Sequence, residues 1–160
     1  MPRPVEPYWT TALDKITPPQ KFRLWLEKPY IISKAMKAVT DDFSLSVLSQ
    51  QIEPIFDHER AKIELEPTGN DEALVRRVFL KGNGAPWSFG RVVVPMNTYQ
   101  AHQDVFDGLG GKLIGENLLY GNPDTTRSGF EYTKLTPQCA LFQEMVEYMP
   151  KPVDFDTLWS

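Results

Sequence analysis

The sequence predicts an α+β domain built on an antiparallel sheet. Two runs rich in β-branched and aromatic residues, 74–81 (LVRRVFLK) and 87–95 (WSFGRVVVP), flank Gly82-Asn83-Gly84. Asn-Gly between such runs is a strong hairpin signal. Helical spacing lies on both sides of this hairpin. The 160 residues contain no internal repeat and no linker, so a single domain over 1–160 is expected, large enough to bury a core.

Residues 1–18 are Pro-rich and polar and read as an N-terminal arm. Pro18-Pro19 then opens a helix, since proline is tolerated in the first helical turn; Phe22, Leu24, Trp25 and Leu26 form its apolar surface and Pro29 ends it. A second short helix is predicted over 31–39. From Phe43 the period changes: Phe43, Leu45 and Val47 alternate with Ser44 and Ser46, the two-residue repeat of a strand. Residues 61–66 repeat that alternation, with Ile63 and Leu65 against Lys62 and Glu64, before a loop at Pro67, Gly69 and Asn70.

Side chains alternate across the hairpin strand that follows, so Arg76 shares a face with Leu74, Val78 and Leu80. Arg77 points the other way with Val75, Phe79 and Lys81, and the Arg76 face is the more apolar. Beyond the hairpin, 99–106 reads as helix ending in the glycine run at 108–111. A short helix or turn at 114–120 is broken by Gly121-Asn122-Pro123-Asp124, and 129–134 reads as a strand. The last helix begins after Pro137, with Leu141, Met145 and Tyr148 at helical spacing, and Pro150 and Pro152 close it.

Hydrophobic residues make up 41% and charged residues 24%, which fits a soluble globular protein and not a disordered one. A net charge of −4 argues against a nucleic-acid partner, which demands a dense basic surface. The N-terminus lacks an apolar stretch of signal-peptide length and no segment nears the ~18 apolar residues of a membrane span, so a cytoplasmic location is expected. Cys139 is the single cysteine; it reads as a small buried hydrophobe, against a nucleophile with His58 or His102 as base. Two distant histidines give no metal-ligand spacing. The chemistry falls to Arg, Asp, Glu and backbone groups. The glycines at 108–111 lack the Lys-Ser/Thr pair of a phosphate loop and read as a helix C-cap and turn.

Pro86-Trp87, then Gly90-Arg91 and Val93-Val94-Pro95, resemble the PW–GR–VVP signature of chorismate lyases. The resemblance continues in register. Arg76 holds the position of the family's essential arginine, about ten residues before the PW pair. Trp25-Leu26 and Ile32-Ser33 match a helix and the lid-forming segment after it. Leu109-Gly110 to Gly115 is similar to the family's LG-loop, and Thr126-Arg127 with Phe130-Glu131-Tyr132 matches its next strand. The matches run from about residue 20 to residue 135.

The resemblance implies a small antiparallel sheet flanked by helices on one side, with an internal ligand cavity closed by flaps. It implies a lyase that converts chorismate to 4-hydroxybenzoate and pyruvate, the entry to ubiquinone synthesis, with no metal and no organic cofactor. A monomer with only small-molecule partners is expected. Arg76 is then the catalytic arginine that binds the ring carboxylate, as a planar guanidinium can meet both oxygens; the competing reading is a structural Asp or Glu partner. The backbone N–H groups near Ile32 and Ile114 complete the carboxylate cradle. Gly90 lets the ring lie close to the strand, or else marks a bulge or packing site, and Arg91 helps to draw in or hold the second carboxylate. Arg127 reads as a structural ion-pair partner.

In the family a Trp, an Arg-Arg-Ser strand and a glutamate-bearing strand follow. Leu158-Trp159-Ser160 resembles the start of that Trp segment, and the later elements have no counterpart. A truncated chain is therefore expected, with reduced stability and weak turnover; the other account gives the missing carboxylate's role to Glu144 or Glu147. Two further functions compete with the lyase: a non-catalytic binding domain for an aromatic carboxylate, and an inactive remnant.

Overall fold

A computed structural model of the chain describes residues 5–27, 31–63, 71–119 and 122–151. They fall into two compact units, one from Met1–Tyr30 with Arg127–Ser160 and the other from Ile31–Thr126.

The second unit is built on a three-stranded antiparallel sheet in the order β1 (Phe43–Pro54), β2 (Glu72–Gly82), β3 (Ala85–Val94). The predicted hairpin is β2–β3. Asn83 and Gly84 both take positive φ, 54° and 77°, as a two-residue turn matched to strand twist requires. Central strand β2 is buried along 73–80, which explains its nearly unbroken apolar run.

Alternation divides β2 into two faces. On the first, Met36 of the helix Ile32–Val39 packs on Val78 and Leu80, with Phe43, Leu45 and Leu113 around them. Leu74 and Val94 meet Phe106, with Tyr99, Ile114 and Leu118 beside them. The opposite face joins Ala73 and Val75 to Ile55, Ile63 and Val93.

The two halves of β1 differ in parity. Val47 pairs with Val78, but Ser49 pairs with Arg77, so Leu48 is an extra residue, a β-bulge. Before it Phe43, Leu45 and Val47 share the first face; after it Gln50 and Ile52 do. The bulge therefore brings Gln50 onto the face of Arg76, its partner in register.

Two predicted elements of this unit differ. Ala61 and Lys62 end a helix, Asp57–Lys62, rather than starting a strand. The Glu59 carboxylate accepts the Phe56 N–H at 2.9 Å, and acidic residues in the first turn with basic ones in the last suit the helix dipole, which outweighs a short alternation. The loop expected after it lies in 64–70, outside the described residues. The helix expected over 99–106 is two, Met96–Ala101 and Gln103–Asp107, parted by His102 at φ −130°. The short helix or turn expected at 114–120 is there, as the π-helical turn Gly115–Leu119; Gly121, expected to help break it, is outside the described residues.

In the first unit the helices Gln20–Glu27 and Ala140–Tyr148 form where predicted. The strand expected at 129–134 is reduced to one bridge, in which Thr10 and Tyr132 exchange backbone hydrogen bonds of 2.8 and 2.7 Å. Part of the expected arm is therefore stitched to this unit: Thr133 Oγ1 donates to the Tyr8 carbonyl at 2.6 Å and the Tyr132 hydroxyl to that of Leu26 at 2.8 Å. Pro29, Pro152 and the Leu158-Trp159-Ser160 segment lie outside the described residues. Among the described residues no helix is long and apolar enough to cross a membrane.

Candidate functional site

A pocket of about 310 Å³ lies against the first face of the sheet in the second unit. Leu45, Val78, Leu80, Gly90 and Val92 form an apolar floor, and residues 31–33 and 113–116 complete the wall. The size sits at the lower end of the ~300–1,000 Å³ typical of small-ligand sites, and apolar walls with few polar groups are their usual make-up. Gly90 keeps the floor open: a Cβ there would lie 3.0 Å from Val78 Cγ2.

Arg76 is the cation in this wall, and it is only 2% exposed. Its Nη1 donates to Gln50 Oε1 at 2.7 Å, and Nη2 donates to the carbonyls of Gly110 and Lys112 at 2.9 and 2.8 Å. All three acceptors are neutral. The acidic partner that a buried arginine ordinarily demands is not found among the described residues. A guanidinium carries five N–H donors, so Nε–H and one Nη1–H are left over. Burial alone pushes the Arg76 pKa below its ordinary value, the direction expected of a cation without a counter-ion.

The glycine run shapes this arrangement. Gly108 caps the helix Gln103–Asp107, its N–H bonding the Asp104 carbonyl at 3.0 Å, and Gly110 turns through φ 53°. The loop thereby presents carbonyls toward a cation, the reverse of a phosphate-binding loop, which presents N–H groups. Gln50 was not singled out from the sequence. Its Nε2 donates to the Phe106 carbonyl at 3.0 Å, which turns Oε1 to Arg76. No local signal marks it, because the bulge sets its face.

Ile32 and Ile114 both line the pocket. Ile32 is the first residue of its helix, whose cap position Ile31 supplies no side-chain hydrogen bond; the first amides of a helix have no partner within it. Beside them the Ser33 hydroxyl donates to Glu116 Oε1 at 2.8 Å, and Lys37 Nζ lies 3.2 and 3.4 Å from the two carboxylate oxygens. The Ser33 hydrogen bond, aided by Lys37 and opposed by burial, holds the Glu116 carboxyl below the usual carboxylate range.

Arg91 is not in this wall. It pairs in register with Arg77 and so projects from the opposite face, where Glu59 grips it through Nε at 2.7 Å and Nη2 at 2.9 Å. The Phe56 ring stacks 4.1 Å from its Cζ. The expectation that Arg91 holds a second carboxylate in the pocket is corrected by strand alternation: Gly90 faces the pocket, so its neighbour cannot. Arg77 on the same opposite face is bound by Glu53 and by Ser49 Oγ at 3.0 Å.

The remaining candidates belong to the first unit. Glu144 and Glu147 sit on the helix Ala140–Tyr148, the former half-buried and the latter exposed. Arg127 stacks on the Phe130 ring at 4.6 Å from its centroid. Cys139 is 2% exposed, with Thr136 Oγ1 at 3.5 Å from its sulfur. Among the described residues no group of three His, Cys, Asp or Glu side chains could hold a metal ion.

Compared with known proteins, residues 4–144 match the family described as chorismate lyase. The chain is 33% identical over 119 residues to a probable chorismate pyruvate-lyase of Shewanella loihica, covering 74% of this chain and 59% of that one. It is 29% identical over 107 residues to one from Photobacterium profundum, covering 67% and 58%. A third, from Shewanella sp. (strain ANA-3), is 26% identical over 146 residues, covering 91% and 73%. The chain thus spans 58% and 59% of the length of the first two.

Proposed function

We propose that this chain, which belongs to the chorismate lyase family, anchors an aromatic carboxylate on Arg76 and converts chorismate to 4-hydroxybenzoate and pyruvate. The observation that carries this reading is a buried guanidinium in a pocket wall whose protein partners are all neutral. A ligand carboxylate supplies the missing charge, and charge-assisted hydrogen bonds to it are about twice as strong as neutral ones.

The product keeps the ring hydroxyl, so the ether C–O bond breaks and the ring carbon bearing the hydroxyl loses its proton. The electron pair of that C–H bond completes the aromatic ring. The ether oxygen leaves with its pair as enolpyruvate, and a proton on the enol carbon gives pyruvate. Atoms balance and no electron acceptor is needed. Aromatisation drives the step, leaving the protein to orient the ring and exclude water. In this reading the carboxylate meets Arg76 and the amides at Ile32 and Ile114, while bare Gly90 gives the ring its place. The product enters ubiquinone synthesis, and the protein works as a cytoplasmic monomer.

The test is to incubate the purified chain with chorismate and follow 4-hydroxybenzoate by its absorbance. Product formation that disappears in Arg76→Ala supports the reading. Binding of 4-hydroxybenzoate without turnover makes the chain a binding module. Equal binding by Arg76→Ala and the parent removes Arg76 from the site.

A further inference from the structure

We infer that Glu116 is a positioning residue for this pocket: by binding Ser33 and Lys37 it ties the helix Ile32–Val39 to the turn Gly115–Leu119 and so holds the backbone of Ile32 and Ile114 around the ligand. The inference rests on the reading of the pocket as an aromatic-acid site.

A carboxylate in the wall of an anion pocket opposes its ligand unless its charge is already matched. Lys37 matches it directly, and Lys34 on the same helix adds a weaker attraction. Ser33 and Lys37 are four residues apart, which places them on one helix face, and both grip the same carboxylate across 83 and 79 residues of sequence. Only two residues of this helix are buried, Ser33 and Met36. Met36 anchors the helix in the core through Val78 and Leu80. The other anchor is the bond from Ser33 to Glu116, one residue from Ile32 and two from Ile114. Loss of that bond frees the first helical turn without opening the core.

The experiment compares 4-hydroxybenzoate affinity and dissociation rate in the unsubstituted chain, Glu116→Gln, Ser33→Ala, Lys37→Glu, and the charge-reversed pair Glu116→Lys with Lys37→Glu. Glu116→Gln and Ser33→Ala are expected to weaken binding about tenfold, ~1.4 kcal/mol, through faster dissociation, with thermal melting little changed. Lys37→Glu, which sets two carboxylates together, is expected to weaken it further, and the reversed pair to recover most of the loss. A purely structural role would lower the melting temperature and leave dissociation from the folded protein unchanged. Normal affinity in Glu116→Gln, or no recovery in the reversed pair, overturns the tie alone. Failure of the unsubstituted chain to bind 4-hydroxybenzoate sinks the pocket reading and the tie with it.

Discussion

Gln50 is wedged between Arg76 and the chain that follows the sheet: its Oε1 accepts from Arg76 Nη1 at 2.7 Å while its Nε2 donates to the Phe106 carbonyl at 3.0 Å. The amide is thus oriented at both ends, and it orients the guanidinium in turn. Hydrogen bonds to charged groups contribute about 1.5–3 kcal/mol. Gln50→Leu, which keeps the bulk and removes both bonds, is expected to weaken 4-hydroxybenzoate binding about tenfold or more. Titration calorimetry checks it; unchanged affinity would show that the two backbone carbonyls alone hold Arg76.

Arg76 itself separates stability from function. Burying a cation without a counter-ion is costly, and the three hydrogen bonds that Arg76 donates offset that cost, so its net contribution to folding is small. Arg76→Met is expected to abolish binding while changing stability by no more than about 1 kcal/mol, which moves the melting temperature by roughly 2–4 °C at this size. A collapse in melting temperature would mean that the guanidinium is mainly structural.

Its sequence neighbour behaves oppositely. Arg77 is 6% exposed and held by Glu53, and removing one partner of a buried pair costs about 3–5 kcal/mol. Arg91 Nη1 lies 3.7 Å from the same carboxylate and softens the loss, so Arg77→Met is expected near the lower end. Chemical denaturation measures it. Ligand affinity of the folded fraction should stay close to that of the parent.

The pair also predicts a pH dependence. The hydrogen bond from Arg77, with help from Gln51 and against burial, holds the Glu53 carboxyl below its usual range. A carboxyl depressed in the folded state stabilises fully above its unfolded pKa of about 4.3 and ceases to do so as pH falls through the folded value. Stability should therefore decline on acidification below about pH 5, and Glu53→Gln should flatten that decline. Parallel acid-unfolding curves for the two proteins would exclude Glu53 as its source.

Gly90 tests the shape of the floor. A methyl group there comes within 3.0 Å of Val78 Cγ2, so Gly90→Val is expected to fill the pocket and, as an overpacking change, to cost about 1–3 kcal/mol. Gly90→Ala combined with Val78→Ala should recover binding relative to Gly90→Ala alone. If Gly90→Val binds 4-hydroxybenzoate normally, the ligand does not lie on this strand.

Local chemistry made part of the fold legible. The hairpin could be read because Asn83-Gly84 is suited to the positive φ values that its turn requires, and the helix Gln20–Glu27 because Pro18-Pro19 suits a helix start. The alternation that begins at Ala61 misled at Ala61 and Lys62, since Glu59 caps a helix at Phe56 and a few alternating residues weigh less than a satisfied amide. Arg91 misled for a geometric reason: adjacency to Gly90 in sequence places it on the opposite face of the strand.

By itself the sequence determined which way Arg76 points, since alternation with Leu74, Val78 and Leu80 is a property of any extended strand. What meets Arg76 was decided only by the tertiary structure. Gln50, Gly110 and Lys112 come from 26, 34 and 36 residues away, brought there by a bulge at Leu48 and a left-handed turn at Gly110. Those features set partners through long-range packing, which leaves no periodic trace in the chain, and they are the reason a buried cation in a pocket wall donates only to neutral oxygens.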